Sequence, residues 1–211
     1  MDKPDTPGQA EFWDARFGAE GFAFGTAPNV FLAAQAQYLK PGLSVLVPGD
    51  GEGRNGVWLA GQGLIADTVD VSPLGVAKAK ALAEARGVSI NAEIADLLTW
   101  NWPLGRYDLA AALYLHFFDA DRPRMHRAML DALKPGGMLI LEAFREEQLE
   151  FQKVHHSGGP KTADMLYSRA KLTADFTGAS ILLLEEAEVE LDEGHRHKGR
   201  AAIVRALVQK M

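Results

Sequence analysis

The sequence predicts an α/β fold: a seven-stranded, mostly parallel sheet with helices on both faces and a C-terminal antiparallel β-hairpin. Three observations carry this. Strand-like apolar runs alternate with helix-like segments between residues 44 and 143, the pattern of parallel strands joined by crossover helices. The first run feeds a turn with glycine at every second position, V-L-V-P-G-D-G-E-G at 45–53. Two further β-like runs near the C-terminus are separated by the polar stretch D-E-G-H-R-H-K-G, which reads as a hairpin turn.

Residues 1–10 read as a polar tail, and A-E-F-W-D-A-R-F-G at 10–18 as a short amphipathic helix stopped by Gly18. A Gly- and aromatic-rich loop follows, and Asn29 is placed to cap a helix over 30–39 that ends before Pro41. Strand one is Ser44–Val47, with a helix from Arg54 to Gly61. Strand two is Ile65–Val71. Ser72 and Pro73 then supply a cap and a first-turn proline for a helix running to Arg86, closed by Gly87. Strand three is Ser89–Ile94, and strand four, Tyr107–Leu113, follows a T-W-N-W-P loop. A helix capped by Asp119 or Asp121 ends near Leu133, where L-K-P-G-G breaks it before strand five, Met138–Ala143. The stretch 145–165 is polar with little apolar periodicity; a short helix over 169–176 precedes the hairpin runs Ser180–Leu191 and Arg200–Gln209. No repeat or linker interrupts the chain, so 1–211 reads as one domain, with 1–40 as a cap and 41–211 as the core.

Composition narrows the function classes. The net charge of −6 disfavours nucleic acid as a partner, because phosphate binding needs a basic face. The absence of cysteine removes disulfides, thiolate metal sites and a thiol nucleophile. The polar N-terminus is unlike a secretory signal, and no apolar run approaches membrane-spanning length, so a cytoplasmic protein without a membrane partner is expected. No H-x-x-x-H or H-E-x-x-H spacing points to a metal, and oligomeric state is not legible.

A strand, a Gly-rich turn and a helix N-terminus together hold nucleotide-like ligands, since glycine lets the ligand reach the backbone N–H groups. G51-E-G-R-N-G56, with Asp70 nineteen residues after Gly51, formally fits the dinucleotide fingerprint. Two features oppose it. The glycines begin late relative to Val47, and a turn counted from Gly49 puts Arg54 at the third glycine, where bulk opposes close helix–strand packing. Asp70, in T-V-D-V-S, is instead suited to two ribose hydroxyls, and Asp96, in A-D-L, to an exocyclic amine.

These motifs, with L-K-P-G-G at 133–137 and the closing hairpin, resemble the Rossmann-like class I S-adenosylmethionine-dependent methyltransferases over about residues 40–209. V-P-G-D-G-E-G-R-N, V-D-V-S-P-L-G-V-A-K-A and F-W-D-A-R-F…F-G-T-A-P-N are similar to the tellurite-resistance and thiopurine-type small-molecule enzymes. The resemblance implies Gly49, Asp50, Gly51 and Gly53 at the methionine end of the cofactor, Asp70 at ribose and Asp96 at adenine. It implies Asn55, Val71, Leu97 and Leu113 as further cofactor-binding residues. Many members carry an acid two positions before the first glycine; here Val47 stands there, with Asp50 and Glu52 as possible substitutes.

The ligand lies beyond the carboxyl ends of the strands in an open parallel sheet. That rule brings Tyr114 and His116, Arg145, and the hairpin turn with His195 and His197 towards the reacting methyl. Trp13, Phe17, Phe22, Phe24 and Asn29 match a cap segment, although Trp13 and Phe17, four apart, would equally dock a helix on the core. His116 and His195 are the candidate bases; Arg145 either binds an anionic acceptor or pairs with Glu142 or Glu146; Lys78 and Lys80 read as a solvated helix face. The expected activity is methyl transfer from S-adenosylmethionine to a small molecule, a thiol or chalcogen species among the candidates. The alternatives are a non-catalytic binder of S-adenosylmethionine or S-adenosylhomocysteine, and an NAD-dependent oxidoreductase.

Overall fold

The computed structural model describes residues 8–211, so most of the polar tail expected over 1–10 lies outside the described residues. Two short helices, α1 (Gln9–Phe17) and α2 (Val30–Ala34), precede the sheet. The strands are β1 (Ser44–Pro48), β2 (Ile65–Asp70), β3 (Asn91–Ile94), β4 (Tyr107–Leu113), β5 (Leu133–Phe144), β6 (Ser180–Glu193) and β7 (His197–Gln209). Between them lie α3 (Arg54–Gly61), α4 (Pro73–Ala85), α5 (Arg122–Ala132), α6 (Gln148–His155) and α7 (Arg169–Asp175).

The sheet order is β3-β2-β1-β4-β5-β7-β6. Strands β1 to β5 pair in parallel, and β7 runs antiparallel to both β5 and β6. Strand β6 therefore points the same way as the parallel set, as a strand–helix–strand crossover requires. Its end, the hairpin turn, joins the carboxyl ends of β1, β2 and β4 on one edge. Both faces of the sheet are covered. Within β1, Leu46 packs into one apolar cluster with Met125, Met129 and Leu139, while Val45 and Val47 pack into another with Phe31, Leu59 and Ile140. This alternation is the side-chain period of a strand buried on both sides.

Local chemistry accounts for the helix starts. Asn29 accepts a hydrogen bond from the Leu32 N–H, and Ser72 accepts one from the Gly75 N–H ahead of Pro73. Several boundaries differ from expectation. The helix expected over 30–39 stops at Ala34 and tightens into a 3₁₀ turn, Ala36–Tyr38. L-K-P-G-G does not precede β5 but bulges inside it, with a register shift between Tyr107 and Leu109 on the neighbouring strand. The turn of the hairpin is shorter than expected, because Glu193 and His197 already pair across it.

Helix α6 lies in the polar stretch over 145–165, where little apolar periodicity is legible. Its inward residues are Gln148 and Gln152, both buried and four apart. Gln148 accepts from the Ala202 N–H and donates to Ser157 and Gly158, and Gln152 donates to the Pro160 carbonyl. An inward stripe made of amides leaves no apolar period to read.

Candidate active site

The turn after β1 carries three left-handed glycines, Gly49, Gly51 and Gly53, with φ of 67°, 56° and 88°. Side-chain-bearing residues adopt such φ poorly. The Gly51 N–H donates to Asp70 Oδ2 at 2.8 Å, and the Ser72 N–H donates to Asp70 Oδ1 at 2.9 Å. Asp70 thus ties the glycine turn to the start of α4. Burial raises its pKa, partly opposed by those N–H bonds. The glycines divide by task. A Cβ on Gly53 would lie 2.7 Å from the Ala79 backbone, so Gly53 serves loop–helix packing against α4. A Cβ on Gly56 would lie 2.4 Å from Asp50 Oδ2 and from Thr68 Cγ2. Gly56, not position 54, permits the close helix–strand approach, so the bulk of Arg54 is no obstacle there: its side chain leaves towards Glu193.

Beyond Val47, Asp50 organises the loop from within. Its two carboxylate oxygens face the Gly56 N–H at 3.2 and 3.1 Å. Burial pushes the Asp50 carboxyl up to about 8, the Asp70 charge adds to that, and the N–H bonds oppose it. Glu52 accepts from the Ala23 N–H at 2.7 Å and from Lys78 Nζ at 3.0 Å. Lys78 also donates to the Ala19 and Gly21 carbonyls, so it is a clasp on the segment after α1 and not the solvated side chain expected.

The N-terminal segment lies across this edge. Trp13 stacks on Phe17 with centroids 5.4 Å apart, and Phe24 meets Phe17 at 6.3 Å. Phe17 is 2% exposed and its ring covers Gly51 and Gly75; a Cβ on Gly51 would lie 2.9 Å from it. Asp14 accepts from the Ser72 hydroxyl and from the Leu74 N–H. Helix α1 therefore docks on the core through Phe17 and at the same time covers the glycine turn.

A second cluster joins elements that are distant in sequence. Asn29 is fully buried: its N–H donates to Asn55 Oδ1 at 2.9 Å, and its Nδ2 donates to Glu142 Oε1 at 2.5 Å and Glu193 Oε1 at 3.3 Å. Asn29 is a structural node at the root of the cap, with no face open to an acceptor. Arg205 Nε donates to the other Glu142 oxygen at 2.5 Å, and Arg54 Nη2 donates to Glu193 Oε2 at 2.9 Å. His197 Nδ1 lies 3.7 Å from the same Glu193 oxygen. The His197 ring is surrounded by Phe24 at 4.5 Å, Tyr114 at 4.6 Å and Phe144 at 5.2 Å. Tyr114 holds a left-handed φ of 54°, a conformation costing about 1–3 kcal/mol in a non-glycine residue.

Three buried polar atoms here make no hydrogen bond: Arg54 Nη1, the Tyr114 hydroxyl oxygen and His197 Nδ1. Each unmet group costs roughly 1–3 kcal/mol. Burial lowers the His197 pKa below the ordinary imidazole value, with the Glu193 carboxylate opposing it. Burial raises that of Tyr114, and the Glu142 and Glu193 charges add to it. The first is a neutral imidazole and the second a neutral phenol near pH 7.

The remaining expected residues fall as follows. His116 Nδ1 donates to the Met165 carbonyl at 2.8 Å and its Nε2 accepts from the Phe144 N–H at 3.3 Å, so both ring nitrogens are engaged by backbone. Burial drops its pKa to about 3. His195 is exposed at the hairpin tip, whereas His197 two residues on is 7% exposed. Arg145 pairs with Glu147 at 2.7 Å and with neither Glu142 nor Glu146, and its buried Nε has no partner. Asp96 accepts from the Leu98 N–H at 2.9 Å and is partly exposed beyond β3; Val71 is half-buried after β2, and Leu97 and Leu113 are buried. The sequence places Glu193, His195 and His197 on the ligand side through the hairpin turn, but it gives no sign of Arg54 and favours His195, not His197, as a base. The pairing of Arg54 with Glu193 carries no local signal, since the two are 139 residues apart.

Residues 45–137 match the protein family described as methyltransferase domain. Comparison with curated proteins gave no match. Among solved structures, one from work on conversion of a disulfide bond into a thioacetal group during echinomycin biosynthesis superimposes with a TM-score of 0.78 at 23% identity. It covers 96% of this chain and 92% of its own. TehB from Haemophilus influenzae gives 0.68 at 17% identity, covering 96% of this chain and 67% of TehB. Magnesium protoporphyrin IX methyltransferase from Synechocystis, solved with bound SAH, gives 0.60 at 20% identity, covering 85% and 78%. At these identities the likeness is one of fold.

Proposed function

We propose that this chain, whose residues 45–137 form a methyltransferase domain within the class I S-adenosylmethionine-dependent fold, moves the methyl group of S-adenosylmethionine to a small-molecule acceptor. The observation that carries the reading is the left-handed glycine turn bonded to the Asp70 carboxylate at the carboxyl edge of the sheet. This is the edge where an open parallel sheet receives its ligand.

The residues fit the cofactor. Gly49 and Gly51 lack a Cβ where Leu115 and Phe17 lie over the turn, so backbone becomes available to a ligand as those side chains move aside; Asp70 keeps further lone pairs for hydroxyls after bonding two N–H groups; Asp96 lies one strand further out. Asp50 and Asn55 shape the turn from behind, Asp50 in the absence of an acid at position 47. When bound, the cofactor supplies an electrophilic methyl on a sulfonium. The chain's own part is then proximity and exclusion of water. Residues 1–40 act as the cap, with Trp13, Phe17 and Phe24 closing over the ligand. An acceptor that loses a proton on methylation needs a base. His197 has the unpartnered, neutral ring nitrogen for it, while both nitrogens of His116 are occupied and His195 is exposed.

Calorimetry with S-adenosylmethionine, S-adenosylhomocysteine and NAD tests the cofactor; binding of NAD alone would overturn the reading. A methyl-transfer assay over thiols, chalcogen oxyanions, amines and phenols then separates an enzyme from a binding module.

A further inference from the structure

We propose that Arg54, Tyr114 and His197 form the acceptor site, and that the acceptor is a small ring-bearing acid whose carboxylate or equivalent oxyanion bonds Arg54. This rests on the methyl-transfer reading above and adds the substrate class to it. The argument begins with what the cluster has left to give. The oxygens of Glu142 and Glu193 are already engaged by Asn29, Arg205 and Arg54. The unmet capacity is a guanidinium nitrogen, which only donates, together with a phenol and an imidazole. Arg54 is paired through Nη2 with Glu193, and its remaining nitrogen, Nη1, can only donate; a charged donor of this kind takes an acceptor oxygen, and bonds an anionic one most strongly.

The three atoms also have a reason to be unmet. Buried polar groups are nearly always bonded, so an orphaned set drawn from a helix, a post-strand turn and a hairpin is a concentration of exceptions. Tyr114 is held there by a backbone conformation that non-glycine residues avoid, as residues at ligand sites often are. The walls are flat and apolar: Phe24, Tyr114 and Phe144 ring the His197 imidazole within 4.5–5.2 Å. The His197 imidazole packs among these faces, and a planar acceptor ring admitted as the cap lifts stacks on them as a branched aliphatic chain does not. The cap covers the cluster, with the Gly25 N–H so close to Gly194 that a Cβ there would stand 2.5 Å from it, so acceptors enter when this loop lifts.

The test compares binding of matched pairs to the full chain by calorimetry, with and without S-adenosylhomocysteine. The probes are 4-hydroxybenzoate and 4-mercaptobenzoate against their methyl esters. The acids are expected to bind at least about tenfold more tightly than the esters. In Arg54→Met that preference should fall to within about twofold, with S-adenosylhomocysteine affinity changed by less than about threefold. Tyr114→Phe, which removes only the orphaned hydroxyl, should weaken acid binding about three- to tenfold and leaves the proposal testable if the arginine variant does not fold. Equal binding of acids and esters, no acid binding below about 1 mM, or an acid preference that survives both variants would overturn the proposal. Acid selectivity in a protein that fails to bind S-adenosylhomocysteine would support the acid site and overturn the methyl-transfer reading instead.

Discussion

The residues with clearest consequences are Asp50, Gly51 and His197. Asp50 has a folded-state pKa near 8 against an unfolded value of 3.8, so the native state binds the extra proton between those values. Stability therefore falls as pH rises through that window, by up to about 1.4 kcal/mol per pH unit. His116 acts in the opposite sense below its unfolded value of 6.5, since its folded pKa is about 3 and the unfolded chain takes up the proton there. Above pH 7, clear of the His116 window, the Asp50 slope remains, and Asp70, also raised by burial and coupled to Asp50, adds to it in the same sense. Thermal melts of Asp50→Asn should lose the Asp50 part and show a higher Tm than wild type at pH 8. Gly51→Val should abolish cofactor binding by calorimetry, because a Cβ at φ 56° is strained and meets the Phe17 ring at 2.9 Å. For His197 the depressed pKa puts the acid limb of kcat/KM below pH 6.5, flat above it. His197→Gln should remove that limb and cut kcat roughly 10²–10⁴-fold. A variant that keeps wild-type rate and profile would exclude His197 as base. Position 197 was hard to choose from sequence because a hairpin turn alternates sides: His195 and His197 look alike until the pairing of Glu193 with His197 fixes which ring turns inward.

Among the elements, α1 has two duties, packing through Phe17 and covering the glycine turn. Deleting residues 1–18 should leave a folded sheet, because β1 starts at Ser44 and the clasp from Glu52 to Ala23 lies beyond the cut. Cofactor association and dissociation should both quicken in stopped-flow fluorescence from the remaining tryptophans. Unchanged rates would mean that α1 never obstructs the turn. The strand–helix alternation was legible because each element carries its own period and its own cap, as with Ser72, Pro73 and Asn29. Helix α6 was not, because Gln148 and Gln152 put polar groups where apolar ones are expected. The acceptor cluster was not legible either. An arginine after a glycine turn and a glutamate in a late strand become partners only through the sheet order.

For the molecule as a whole, ligand binding and stability are linked. S-adenosylhomocysteine at a hundred times its Kd should stabilise the fold by about 2.7 kcal/mol, a rise in Tm of roughly 5–10 °C for a chain of this size. NAD at the same concentration should give none, and absence of the shift in wild type would argue against the cofactor. The sheet order has a further consequence, for the growing polypeptide. Strand β7 is made after β6 but sits between β5 and β6. Until it is complete, β6 has no neighbour to join, and the Leu139–Leu141 stretch of β5 offers an open apolar edge. A nascent chain halted before His197 would thus be at its most adhesive and would also lack the imidazole, so sticking together and gaining competence are decided by the same final insertion.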